Sequence, residues 1–136
     1  MKQTSWLWIV AAIILTCVFV MQEKSAPPDR VLLAQQIART QLAGYNAQHR
    51  TAHAHPVVQV ADVERGTVAT LNFGVLTLDT TFVIQASEDE MRERIAHELG
   101  HYVVGLEQRR ASLHADDGSI EFQKAKDDLL AEVPNE

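Results

Sequence analysis

His97 and His101 stand four residues apart in the run RIAHELGHYVVG, residues 94–105. In a helix, positions i and i+4 share one face, one turn apart. Two imidazoles so placed can ligate one zinc ion at the usual bond length of about 2.0–2.1 Å. Glu98 lies about 100° round the same turn. From there it reaches a water beside the metal without being a ligand itself. The segment carries its own helix signals. Ser87 is a natural N-cap, Ser87-Glu88-Asp89-Glu90 has the form of a capping box, and Gly105 is a stop signal. Met91, Ile95, Leu99, Tyr102 and Val103 gather on one arc, and the histidines fall roughly opposite, beside Ala96 and Gly100. A purely structural helix would more simply carry a solvated charged face there. Coincidence in so short a motif is the rival explanation.

Zinc with two histidines and a neighbouring carboxylate is the arrangement that peptide hydrolysis needs: the metal acidifies water and the carboxylate takes its proton. The substrate this chemistry implies is a protein or peptide, and composition argues against nucleic acid. The chain carries 12 Lys and Arg against 18 Asp and Glu, a net −6, whereas nucleic acid demands a basic footprint. The single cysteine, Cys17, allows no intrachain disulfide. Cys17 does not sit in a lipoprotein-type context; it reads as an apolar residue of the N-terminal run.

That run, residues 6–21 (WLWIVAAIILTCVFVM), is almost wholly apolar and is followed by Gln22-Glu23-Lys24. It is slightly short for a spanning helix of about 20 residues, with tryptophans suited to the interface. An uncleaved membrane anchor is the expectation, with the domain outside the cytoplasm. A cleaved signal peptide is the alternative, giving a secreted protein. The apolar run exceeds a usual signal core and no clean cleavage site follows. The chain thus divides into residues 1–26, anchor or signal, and 27–136, one small domain. A bound metal would help so short a chain hold its fold.

Ser25-Ala26-Pro27-Pro28 is a stiff linker. Asp29 should cap a helix running to about Tyr45, with Gly44 and Asn46 ending it. His49, His53 and His55 follow, in a tract that reads as a surface loop or as an accessory metal site. Strands are expected over 57–63, 67–71 and Val75–Asp79, then a short helix or plain connection at Phe82-Val83-Ile84. The motif helix comes next, then a polar segment with an Asp117-Gly118 turn. Ser119 should cap a last helix over 120–133. The fold class is α+β: a membrane helix, then a minimal zincin-like domain with a small, mostly antiparallel sheet and the HExxH helix.

A catalytic zinc takes three protein ligands and keeps one position for water. The continuation H-x-x-G-x-x-H is missing, since Val104 stands where glycine should be. Glu121, opening the last helix, and His114, in the polar segment, remain as candidates. Glu121 has a bland reading too, as a first-turn carboxylate set against the helix dipole.

Residues 74–105, GVLTLDTTFVIQASEDEMRERIAHELGHYVVG, resemble the core of the membrane-associated gluzincin peptidases of the HtpX and CAAX prenyl endopeptidase type. The resemblance covers little else. It implies His97 and His101 as zinc ligands, Glu98 as general base and Glu121 as third ligand. In that family the third ligand opens an E-x-x-A-D pattern; here Lys124 and Ala125 occupy the Ala and Asp places. The expected activity is membrane-anchored zinc endopeptidase. The alternative is a non-catalytic zinc-binding module with a vestigial peptidase fold. In either, a peptide could pair with a sheet edge, and Val75–Asp79 is the candidate strand by its position before the motif.

Overall fold

The computed structural model describes residues 24–108 and 117–131. Helix α1 spans Pro28–His49. It opens without a side-chain cap: Pro27 holds the N-cap position in an extended conformation, and Asp29 lies within the first turn. Pro28 suits that start, because its missing N–H is one the helix could not use. Gly44 and Asn46 do not end the helix. The stop is Arg50, in the left-handed region at φ 53°, whose N–H closes on the Asn46 carbonyl. The Asn46 side chain then organises the exit. It accepts from Thr51 Oγ1 and His53 N and donates to the His53 carbonyl.

Strands β1 (Val57–Ala61), β2 (Ala69–Asn72) and β3 (Val75–Asp79) form one sheet in the order β1-β3-β2. The β2–β3 pair is a hairpin and antiparallel. The β1–β3 pair is parallel. The sheet is therefore mixed, not mostly antiparallel. Residues 62–68 carry the chain past β3 to its far side, so β1 and β3 run the same way. This order also makes β3 internal: Val75–Asp79 offers no free edge, and the expectation that it would take a peptide fails.

Asp79 ends β3 and caps α2 (Thr80–Gln85), accepting from Phe82 N at 3.2 Å. Helix α3 (Glu88–Glu107) begins at the expected capping box, Ser87 and Glu90 each bonding the other's backbone N–H. Such a cap is worth about 1 kcal/mol. Helix α3 runs straight through Gly105, which is buried and helical. Helix α4 (Ile120–Leu130) is capped by Ser119.

The core forms where α3 meets α1, the sheet and α4. Met91, Ile95, Leu99 and Val103 are fully buried along α3, with Leu42 of α1, Leu76 and Leu78 of β3, and Phe122 and Leu129 of α4. Each such side chain contributes about 1.5–3 kcal/mol. Arg30 ties the start of α1 to the α2–α3 junction, donating to the carbonyls of Val83 and Ala86. Residues 6–21, the expected membrane segment, lie outside the described residues. Among those described, no helix is long and apolar enough to cross a membrane.

Candidate metal centre

Helix geometry brings the two imidazoles together as their spacing requires. His97 Nε2 and His101 Nε2 are 3.2 Å apart. Two donors on a tetrahedral zinc with bonds of about 2.0–2.1 Å lie about 3.3 Å apart. Asp117 completes the group, its Oδ1 2.8 Å from His101 Nε2 and 3.7 Å from His97 Nε2. Among the described residues these three side chains form a cluster able to hold a metal ion. Two nitrogens and one carboxylate oxygen suit zinc. They also suit other divalent first-row metals, whose preferences overlap.

Each group is placed by a different part of the chain. The histidines face away from the buried arc of α3. Asp117 comes from the far end of the α3–α4 connection, two residues before the Ser119 cap. Helix α4 runs antiparallel to α3: Phe122 meets Gly100 and both histidines, while Lys126, one turn on, pairs with Glu93 at 2.9 Å. The Phe122 ring stacks on His101 and stands edge-on to His97, with centroids 5.0 Å apart in the second case. Gly100 makes this possible. A Cβ there would lie 3.0 Å from Phe122 Cε2.

Glu98 shares a cleft of about 330 Å³ with His97, His101, Tyr102 and Asp117. The opposite wall is the edge strand: Ala69, Thr70, Leu71 and Asn72, with Thr67 before them. Burial pushes the Glu98 carboxyl up to about 7, with Arg94 opposing and Asp117 reinforcing the shift. Burial, then the neighbouring His101, holds the His97 imidazole below its ordinary value, against Asp117. Both effects favour neutral imidazole at neutral pH, the form that binds metal.

Glu121 is not brought to the histidines. It is exposed and lines a separate cleft with Tyr45, His49, Glu107 and Asp128. His114 lies outside the described residues. The histidine tract does not converge either. His49 pairs with Asp128 at 2.8 Å and His53 with Glu107 at 3.1 Å, while His55 borders a third cavity beside Arg39 and Pro56. The Tyr102 hydroxyl donates to the Ala54 carbonyl at 2.7 Å, which ties the 51–56 segment to α3.

Asp117 is the residue that the sequence reading missed. Its turn was legible, but its carboxylate belongs to the site only because α4 docks on the Gly100 notch. Comparison with family models, characterised proteins and solved structures found no match.

Proposed function

We propose that the chain is a zinc endopeptidase, membrane-anchored through residues 6–21, with its domain outside the cytoplasm. One observation carries this reading: the HExxH histidines and Asp117 gather in a cleft that is also lined by Glu98 and by the strand β2. The resemblance of residues 74–105 to the HtpX and CAAX prenyl endopeptidase type supports it. His97, His101 and Asp117 would hold the zinc. When bound, zinc supplies Lewis acidity, polarising a water and the scissile carbonyl. Glu98 accepts the proton of the attacking water and passes it to the leaving amine. An extended peptide lies along β2, which takes the role expected of β3, and its main chain bonds the free edge.

A second reading is a zinc-binding module without turnover. It is favoured by the distance of Glu121 from the histidines and by the use of an exposed aspartate in its place.

Glu98→Gln separates the two. The change keeps size and hydrogen bonding and removes the base. It should leave zinc content unchanged and slow cleavage of an unstructured protein substrate by about 10²–10⁴-fold. A zinc-loaded wild type that cuts no peptide in a broad library would favour the binding module. Equal cleavage by wild type and Glu98→Gln would remove the proposed mechanism. Carbonate extraction of the full-length chain tests the anchor: release into the supernatant, or a mature protein starting near Pro27, rules it out.

A further inference from the structure

The β2–β3 hairpin turns through Phe73 and Gly74, at φ 50° and φ 75°, between the paired residues Asn72 and Val75. Two consecutive left-handed residues make a type I′ turn, whose first central position favours Asn, Asp or Gly. An aromatic side chain is a poor occupant, because its Cβ crowds the backbone there. Phe73 is also fully exposed, so folding gains nothing from its ring. The fold therefore requires neither the residue nor its position. Local choices that break both rules at one residue point to a function for it.

The sheet shows what Phe73 is placed to meet. Asp79 N donates to the Val68 carbonyl, and Asn72 pairs with Val75 to close the turn. In an antiparallel ladder this phase turns the N–H and C=O groups of residues 68, 70 and 72 toward β3. Those of Ala69 and Leu71 face away from β3, toward the margin that no described strand covers, along the cleft that His97 and Glu98 also line. Phe73 follows Asn72 directly, at the hairpin tip where the ladder ends. A peptide bonded to Ala69 and Leu71 that runs on past Asn72 leaves the cleft at that tip, where Phe73 is exposed.

We infer that Phe73 is a specificity-determining residue that selects extended peptides with a large apolar side chain where the strand leaves the cleft past Asn72. This rests on the peptidase reading for the location of the peptide, and not on turnover.

Binding in the full-length Glu98→Gln protein, in detergent and with zinc present, tests it without cleavage. A single leucine is walked along a fluorescent peptide of serine, threonine and lysine. At one position leucine should tighten binding by about tenfold over serine. In Phe73→Asn that gain should fall to about twofold or less, with the all-polar peptide bound as before. Asparagine suits the turn, so this variant should melt no lower than its parent. A leucine preference that survives Phe73→Asn overturns the inference, as does the absence of any preference in the parent. So does unchanged peptide binding with weaker partition into phosphatidylglycerol vesicles, which would make Phe73 a lipid contact. Leucine-selective binding lost in Phe73→Asn, alongside a wild type that never cleaves, would uphold the inference while the peptidase reading fails.

Discussion

Phe122 lies nearly flat on His101, with ring centroids 4.3 Å apart and planes inclined by 23°. The contact joins the last described helix to the face of α3 that carries His97 and His101. It fixes one imidazole by packing, before any ligand arrives. It also sets how closely α4 approaches, and hence where Asp117 stands.

Gly100 is therefore predicted to be intolerant of substitution although it lies in a helix. Alanine alone should gain up to about 1 kcal/mol from helix propensity. Here its Cβ meets the buried Phe122 ring at 3.0 Å. Gly100→Val should destabilise the domain by about 1–3 kcal/mol through overpacking. Zinc affinity should fall with it as Asp117 is pushed away. Urea unfolding and a zinc-chelator competition read the two effects. Unchanged stability and affinity in Gly100→Val would show that α4 does not hold the site.

Zinc affinity should separate the two candidate carboxylates. Wild type should hold about one zinc per chain, and His97→Ala or His101→Ala should hold essentially none. Asp117→Asn is expected to bind at least 10-fold more weakly, on the order of the loss usual for a ligand or its orienting partner. Glu121→Gln should match wild type, since its carboxylate lies in another cleft. Elemental analysis and competition with a coloured chelator decide. If Glu121→Gln alone weakens binding, Glu121 is the third ligand and the α3–α4 connection rearranges on loading.

Alkaline stability should depend on Tyr45. Burial, then its hydrogen bond to Glu107, pushes the phenol well above its ordinary value. The folded state thus holds this proton more tightly than the unfolded chain does. Stability is fully present below the unfolded value of about 10 and declines as pH rises past it. Tyr45→Phe should cost about 1 kcal/mol at neutral pH, from the lost hydrogen bond, and should flatten the alkaline decline. Burial raises the Tyr102 phenol too, so part of the slope should remain. Denaturant midpoints measured from pH 8 to 11, a range spanning that value of about 10, provide the check. Parallel curves for Tyr45→Phe and wild type would refute the assignment.

The features legible in the sequence are those encoded over a few residues. The HELGH spacing, the Ser87 and Glu90 box, the Ser119 cap and the strand Val75–Asp79 all depend on neighbours within one or two turns. What depends on distant neighbours was not legible. The valine-rich run 57–63 reads as a strand, but it does not say which strand it will join or in which direction. The parallel β1–β3 pairing therefore came only with the structure. Gly44, Asn46 and Gly105 all resemble helix ends. Yet glycine permits a stop without imposing one, and Asn46 acts three residues ahead of the helix end by bonding the loop. The candidate metal centre divides the same way. Two of its side chains, on one helix, were visible, and the third depends on how α4 docks.

The order β1-β3-β2 leaves the sheet two margins, and they are not equivalent. Along β1, the Gln35 amide of α1 reaches the Val58 carbonyl at 3.4 Å, so a helix side chain blunts that margin. The β2 margin opens on the cleft. Unpaired strand margins are also the surfaces through which proteins stack into aggregates. An extended peptide held along Ala69 and Leu71 would hide the same backbone groups from a second copy of the chain. A filled cleft would then act as its own guard against self-association, and the domain would be most prone to clump when empty.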